Sequence, residues 1–260
     1  MYPVLFQIGS FKLHAWGLML LIGFLASVYR GTKAAPRYNF DPGAVWDCSL
    51  LGLFGGVIGG RLAFILQELP HYSKNPAEVF MIWTGGMTSY GGIIGGLAVG
   101  LWAAKKRGFH IGDAADLAAV SMPIGYFFGR LGCFLNGCCY GTHCDAPWAM
   151  TFKDEAGTLH QNVHPTQLYS MIAALIMFAA LSTLEKLPRR RFRGELLPLF
   201  AVFYGVYRFI VEFWRAQSEG HVPSSGLASL SSGQWASLAA IVIGLGIYFF
   251  LPKNNDTATK

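Results

Sequence analysis

Three arginines of this chain lie within or at the ends of long apolar stretches, namely Arg61, Arg130 and Arg208. A guanidinium stays charged in a protein, and its planar fork can grip a phosphate through two parallel hydrogen bonds. Any one of them could instead form a buried ion pair or extend to a membrane interface. Three such groups in a chain with so few charges favour an anionic ligand, because ionisable groups inside apolar segments are costly.

One of these arginines has polar neighbours at helical spacing. Tyr204, Arg208 and Glu212 follow one another at intervals of four residues, so they share one face of a helix. The three can form a network that only orients the helix, or a cationic site held by a carboxylate and a phenol. Both interpretations can hold together, because a buried arginine needs support to be positioned.

Cysteines form the second chemical cluster, beside His143: Cys133, Cys138, Cys139 and Cys144. Their spacing lacks the paired C-x2-C knuckles of structural zinc sites. A local disulfide or free thiols are therefore favoured over a metal. The distribution of Lys and Arg described below places this segment on the outer side of a membrane, where disulfides are permitted. The fifth, Cys48, lies within a predicted helix, where it is a small apolar packing residue.

The elements that carry these residues are apolar and long. Of the 260 residues, 53% are hydrophobic and only 13% are charged, about half the charge of a soluble domain. About 20 apolar residues span a bilayer as a helix, which predicts an all-α integral membrane protein. The predicted spans Thr166–Leu184 and Gly233–Leu251 contain no charged residue, which argues against a soluble bundle. We predict about seven transmembrane helices: Leu13–Tyr29, Cys48–Leu66, Gly86–Ala104, Leu117–Leu135, Thr166–Leu184, Leu196–Trp214 and Gly233–Leu251.

The basic residues of the connecting segments predict the orientation. Thirteen Lys and Arg residues lie on one side of the predicted helices and four on the other. Excess Lys and Arg mark the cytoplasmic side, so the N-terminus is expected in the periplasm and the C-terminus in the cytoplasm. The net charge of +6 reflects this bias, with no nucleic-acid partner. We expect a single membrane domain, residues 1–260, with a periplasmic excursion at about 136–165.

Glycines predict how two of these helices meet. Their spacing of four residues is the small-xxx-small pattern that allows close helix approach in lipid. The second predicted helix carries Gly52, Gly56 and Gly60, and the third carries Gly92, Gly96 and Gly100. Further glycine pairs flank residues 87–90, which indicates a break in the helix where backbone could face a cavity.

Six sequence segments in order resemble the prolipoprotein diacylglyceryl transferase family of bacterial inner-membrane enzymes. They are Leu13-His14-Ala15-Trp16-Gly17-Leu18-Met19, Gly59-Gly60-Arg61-Leu62, Gly85-Gly86-Met87-Thr88-Ser89-Tyr90-Gly91-Gly92, Gly129-Arg130-Leu131-Gly132 with Phe134-Leu135-Asn136-Gly137 closing at Gly141, His164-Pro165-Thr166-Gln167-Leu168-Tyr169, and Tyr204-Gly205-Val206-Tyr207-Arg208-Phe209-Ile210-Val211-Glu212-Phe213. Any one segment is a weak signal. The six together cover nearly the whole chain and are specific.

The resemblance implies transfer of the diacylglyceryl group of phosphatidylglycerol to the lipobox cysteine thiol of preprolipoproteins, with release of glycerol phosphate. It implies a seven-helix protein with its N-terminus outside, which agrees with the charge count, and it requires no metal or cofactor. The implied catalytic residues are Arg130, Arg208 and Tyr90. The implied substrate-binding residues are Arg130, Arg61, His14, Gly91, Asn136, Gly141, His164, Tyr204 and Glu212.

Four positions depart from the family pattern. Cys133 stands where members typically have asparagine, Cys138 where they have glutamate, and Trp16 where some have tyrosine. Tyr90 occupies a position at which some members carry a histidine proposed as the base. A tyrosine, with a pKa near 10, is a poor base at neutral pH and is better suited to donate a hydrogen bond to phosphate. The general base is thereby left unassigned.

Rival hypotheses remain open at this point. A divergent transferase could use another donor or acceptor, and a non-catalytic lipid-binding protein could carry the same arginines. An anionic-solute transporter could line a path with them, although the chain lacks the inverted repeats of many transporter folds. Release of glycerol phosphate from labelled membranes given a lipobox peptide separates the enzyme from the transporter, and an Arg→Ala series separates it from the binding protein.

Overall fold

The computed structural model describes residues 4–8, 11–81, 85–153, 157–187, 191–215 and 230–251, with backbone alone at residues 8, 11–12 and 89–90. The chain forms two compact units. One comprises residues 30–117, and the other comprises residues 1–29 together with 118–260.

Each of the seven predicted spans is a helix. The long helices are α1 Ala15–Ala34, α2 Pro42–Gln67, α4 Ser89–Lys106, α5 Ile111–Asn136, α6 Thr166–Lys186, α7 Leu196–Glu212 and α8 Ser232–Phe250, and a short α3 spans Leu69–Tyr72. Five of them, α1, α2, α5, α6 and α8, are long and apolar enough to cross a membrane. Many large apolar side chains point outward, including Ile94, Val242 and Phe250, the last 90% exposed. Such an apolar surface suits contact with lipid.

The starts of two helices follow from local sequence. Asp41 precedes Pro42, and its carboxylate accepts a hydrogen bond from the backbone N–H of Ala44 at 2.9 Å, which caps α2. Ser231 and Gln234 form a reciprocal capping box at the start of α8. These caps satisfy backbone donors that would otherwise lack partners in an apolar surrounding.

Within the unit of residues 30–117, α2 and α4 pack through their glycines, as the spacing predicted. A Cβ on Gly59 would lie 2.5 Å from the carbonyl oxygen of Gly91, and one on Gly55 would lie 2.8 Å from that of Gly95. The backbones are therefore in direct contact and leave no room for a methyl group. Gly85 and Gly86 have positive φ angles of 90° and 78°, so α4 begins at Ser89, three residues after the predicted start.

In the other unit, α5 and α6 bury a small apolar core with α7, formed by Ala119, Val120, Leu181 and Leu196. Helices α7 and α8 approach closely at two glycines. A Cβ on Gly205 would lie 2.9 Å from the carbonyl oxygen of Ser237, and one on Gly244 would lie 2.8 Å from that of Pro198.

Two hairpins were not predicted by the sequence, so the all-α expectation is incomplete. Strands β1 (Val4–Ile8) and β2 (Phe11–His14) form one hairpin. Strands β3 (Met150–Lys153) and β4 (Leu159–Val163) form another within the expected excursion at 136–165. Strands of four or five residues carry too little alternation to be recognised, and Leu13 and His14 precede α1, which the sequence had begun at Leu13.

Candidate functional site

An ion pair holds Arg208 near the end of α7. Its Nη1 lies 2.8 Å from Oε2 of Glu212, and both side chains are largely buried, with exposed fractions of 16% and 14%. The other Glu212 oxygen, Oε1, accepts a hydrogen bond from Ser231 Oγ at 3.1 Å. A Cβ on Gly233 would lie 2.9 Å from Glu212 Oε1, so this glycine makes space for the pair. The predicted contact between Arg208 and Glu212 on one helix face is confirmed.

Arg130 lies on α5 above an aromatic ring. Its guanidinium carbon is 4.9 Å from the ring centroid of Tyr126, the residue one turn earlier. Within the described part of the chain, Arg130 forms no ion pair with a carboxylate. A half-buried cation that is supported by a ring face, without a neutralising carboxylate, is suited to receive an anion.

Three tyrosines connect the helices of the two arginines. Tyr126 meets Tyr204 edge-on at 5.5 Å between ring centroids, and its hydroxyl lies 3.4 Å from that of Tyr207. The Tyr207 hydroxyl also hydrogen-bonds Ser170 Oγ of α6. Tyr204 is one turn from Arg208, so the cluster joins α5, α6 and α7 around both arginines. Sequence reasoning had not assigned roles to Tyr126, Tyr207 or Ser170, although a tyrosine four residues before Arg130 is a detectable signal.

Past the end of α5 the chain turns sharply. Gly137 and Cys139 have positive φ angles of 75° and 65°, and the N–H of Cys138 donates to the carbonyl of Cys133 at 3.1 Å. Two buried side chains of α6 hold this turn. Thr166 Oγ1 donates to the Cys139 carbonyl and Gln167 Nε2 to the Cys138 carbonyl, each at 2.7 Å.

The turn brings three of the four clustered cysteines together. The sulfur atoms of Cys133, Cys138 and Cys139 all lie within 4.8 Å of one another, and those of Cys138 and Cys139 are 3.8 Å apart. All five cysteines are free thiols, which is one of the two alternatives that the sequence favoured. Asn136, a predicted binding residue, contacts this group through a hydrogen bond to Cys138.

The thiols of Cys138 and Cys139 have pKa values shifted in opposite directions. Hydrogen bonds from Cys133 and Cys138, with the positive fields of Arg130 and Arg215, hold the pKa of the Cys139 thiol well below its usual range. The Cys138 thiol has a raised pKa despite its contact with Cys133, because Cys139 and burial act against its charged form. A negative charge in this cluster is therefore most favourable on Cys139.

Gly141 and His164 lie together beside the cysteine turn. The N–H of Gly141 donates to the His164 carbonyl at 2.8 Å, and a Cβ on Gly141 would lie 2.1 Å from the Trp214 carbonyl oxygen. The ring of His164 is 3.1 Å from the Tyr169 hydroxyl. Two of the predicted binding residues are thus neighbours, and the space around Gly141 excludes any side chain.

Arg61 belongs to the other unit and is 5% exposed. Its five N–H groups point at backbone carbonyl oxygens, among them Val79 at 3.1 Å and Gly85 at 2.6 Å, and its guanidinium lies over the Tyr72 ring. In this arrangement Arg61 orders the segment before α4 and has no free donor for a ligand. Its direct contact with substrate stays a prediction.

The remaining predicted residues are less connected. Gly91 packs against α2, where a Cβ would lie 2.4 Å from the Gly59 carbonyl oxygen. The side chain of Tyr90 lies outside the described part of the structure. His14 is exposed at the end of β2, two residues before Trp16, which contacts α5 at Gly132.

The helices and the residues of the site indicate the class of protein to which this chain belongs. Apolar helices with outward-facing hydrophobic side chains carry two arginines, a tyrosine cluster and a set of thiols, a combination suited to an anionic lipid headgroup. The chain is a multi-pass membrane protein.

Comparison with known proteins identifies the family. Residues 3–250 match the family model of prolipoprotein diacylglyceryl transferase. A phosphatidylglycerol–prolipoprotein diacylglyceryl transferase of Bordetella bronchiseptica is 37% identical, covering 96% of this chain and 95% of that protein. Relatives of the same name from Nitratidesulfovibrio vulgaris and Clostridium tetani are 35% and 31% identical, over 99% and 95% of this chain and 96% and 97% of theirs. The chain belongs to the prolipoprotein diacylglyceryl transferase family, as the six segments predicted.

Proposed function

We propose that this protein transfers the diacylglyceryl group of phosphatidylglycerol to the lipobox cysteine thiol of preprolipoproteins and releases glycerol phosphate. Relatives over nearly the whole chain carry the name of this activity. The observation that carries the proposal to these residues is Arg130, a half-buried guanidinium without a carboxylate partner in the described part of the chain, next to the tyrosines that lead to Arg208.

Membrane placement follows from the same proposal. All seven long helices cross the inner membrane of a bacterium as one domain, with the N-terminus in the periplasm and the C-terminus in the cytoplasm. The excess of Lys and Arg between alternate helices supports this orientation. The cysteine turn and the β3–β4 hairpin then lie at the periplasmic side, where a secreted preprolipoprotein presents its thiol.

The two arginines stabilise the departing phosphate. When the bond between the diacylglyceryl carbon and the phosphate oxygen breaks, negative charge gathers on the phosphate. Fixed cations therefore stabilise the transition state more than the bound phosphatidylglycerol. Arg130 can turn its donors to the phosphate because no carboxylate of the described residues engages them. Arg208 keeps one edge against Glu212 and offers the rest of its fork.

Other residues position these groups or bind substrate. Glu212 supports Arg208 through their ion pair, and Tyr204 lies one turn before Arg208 on α7. Asn136, Gly141 and His164 lie at the turn after α5. His14 and Gly91 are assigned to substrate binding, and Tyr90 to hydrogen bonding of the phosphate, on the family motifs alone. Arg61, which the same motifs assign to substrate binding, acts by ordering the segment before α4. Gly91 and Gly141 contribute by leaving space, because neither tolerates a Cβ.

The test uses purified protein in vesicles that contain phosphatidylglycerol labelled in its terminal glycerol. We expect a peptide with a lipobox cysteine to gain mass while labelled glycerol phosphate is released in equal amount. A matched peptide with serine in place of the cysteine should release none. Release of label without a change in the peptide would indicate another acceptor, and movement of label across the membrane without bond cleavage would indicate a transporter.

A further inference from the structure

The three thiols of Cys133, Cys138 and Cys139 form a group that the arginine chemistry does not use. Two left-handed residues and two buried α6 side chains hold them in place. The left-handed conformation of Cys139 is unfavourable for a residue with a side chain. The fold therefore holds this turn in an unfavourable conformation. The hydrogen bonds from α6 resemble those that orient the ligands of a metal site.

The spacing of the sulfurs matches one ion better than it matches covalent pairing. Tetrahedral zinc with zinc–sulfur bonds near 2.3 Å places its sulfurs about 3.8 Å apart. The Cys138 and Cys139 sulfurs are 3.8 Å apart, and all three lie within 4.8 Å. One disulfide would use two of these thiols and leave the third without a partner. Among the described residues no fourth Cys, His, Asp or Glu joins the group, and three protein ligands with an open fourth position are typical of catalytic zinc.

The charges around the cluster also suit a zinc thiolate. Three thiolates and one Zn²⁺ carry a net charge of −1, and a fourth thiolate makes it −2. Arg130 lies three residues before Cys133 on α5, so the two residues share one face of that helix. The cluster is thus next to the arginine assigned to the phosphate, so a nucleophile bound there would be close to the bond that breaks.

We propose that Cys133, Cys138 and Cys139 bind one Zn²⁺ as thiolates and that the acceptor thiol binds the fourth coordination position. This inference rests on the proposed function and supplies what the family pattern leaves open here, because Tyr90 stands where a base is expected. Zinc would take the place of that base, since a thiol coordinated to zinc is deprotonated.

The step balances without an oxidant. Zn²⁺ displaces three protons from the cysteines, and the acceptor thiol loses its own proton to water as it binds. Its sulfur attacks the carbon of the diacylglyceryl group that is bound to the phosphate oxygen. The carbon–sulfur bond forms as the carbon–oxygen bond breaks, and the electron pair leaves with glycerol phosphate. The neutral thioether product binds zinc more weakly than a thiolate and is released.

Metal binding is measured first, on the full-length protein in detergent, reduced and freed of metal by a chelator. We expect one Zn²⁺ per chain, and Co²⁺ should give thiolate-to-metal charge-transfer bands that Zn²⁺ displaces. Cys139→Ser should weaken binding by at least about 100-fold, the upper end of what loss of an outer partner costs. Cys48→Ser is the matched control and should bind normally, because Cys48 lies on α2 and is not one of the three grouped thiols. A reduced protein that binds no Co²⁺ would overturn the proposal.

Transfer is measured next on the same samples. A thiol with a pKa near 8.5 is about 3% ionised at pH 7, so removal of zinc should slow transfer by about 10-fold to 30-fold, and Zn²⁺ should restore it. The cysteine peptide should change the visible Co²⁺ spectrum, whereas the serine peptide should not. Full transfer by metal-free protein would overturn the zinc site and leave the proposed function intact. Metal binding without transfer under any condition would refute both the acceptor role of the zinc and the proposed function.

Discussion

Glu212 offers a sharp test of how Arg208 is used. Glu212→Gln keeps the size of the side chain in the space beside Gly233 and keeps an oxygen for the Ser231 hydroxyl, but it removes the negative charge 2.8 Å from Arg208. A close and largely buried charge pair contributes on the order of 1.5–3 kcal/mol, in the lower part of the range for such pairs. If all of that supports the position of Arg208 in the transition state, turnover falls by about 10-fold to 150-fold.

The double variant decides whether Glu212 acts through Arg208. Arg208→Lys alone should lower turnover by about 100-fold to 1,000-fold, because lysine keeps the charge and loses the fork. Adding Glu212→Gln should then lower it little further, since residues of one network are not additive. Initial rates of glycerol phosphate release, at saturating phosphatidylglycerol in the vesicles, are measured for the unchanged protein, the two single variants and the double variant.

Asp47→Asn provides the control for loss of an ion pair. Asp47 pairs with Arg107 at 2.7 Å, but the side chains are 53% and 41% exposed, and such pairs contribute little. Its turnover should stay within about twofold of the natural sequence. Single losses that multiply in the double variant would show that Glu212 acts independently of Arg208. Near-normal turnover of Arg208→Lys would remove Arg208 from the catalytic residues.

Three further outcomes are expected. Arg130→Lys should fold and insert, yet lose turnover by about 100-fold to 1,000-fold; normal rates in the vesicle assay would contradict its phosphate role. Gly95→Ala should lower the free energy of unfolding by about 1–3 kcal/mol, because its Cβ would lie 2.4 Å from a facing carbonyl oxygen. Gly17→Ala is the control and should leave the stability unchanged, because open space surrounds Gly17. Equal thermal stability of the two variants would contradict the close packing of α2 and α4. Reporter fusions after Arg107 should be cytoplasmic and those within residues 136–165 periplasmic, and the reverse pattern would overturn the charge argument.

The helices could be predicted because their signal is long and repeated. Runs of apolar residues marked all seven, and glycines four residues apart marked the contact of α2 with α4. The hairpins could not be predicted, because strands of four or five residues leave almost no periodic pattern. The start of α4 differs from the prediction for a local reason, the positive φ angles of Gly85 and Gly86.

The site was predictable where its residues lie on one helix. The spacing of Arg208 and Glu212 was enough to predict their ion pair. Convergence of Cys133 with Cys138 and Cys139 depends on two left-handed residues and on hydrogen bonds from α6, which sequence spacing does not reveal. For Arg61 the motif predicted contact with the substrate, but the structure shows its guanidinium donating to backbone carbonyls. A motif alone does not reveal which partner an arginine binds.

The most direct test of the central claim is the mass of a reporter lipoprotein in cells depleted of their own diacylglyceryl transferase. With this chain supplied, we expect the reporter to gain the mass of one diacylglyceryl group on its lipobox cysteine. A reporter with serine at that position should keep its original mass. An unchanged cysteine reporter, in cells whose membranes contain the folded protein and phosphatidylglycerol, would contradict the account.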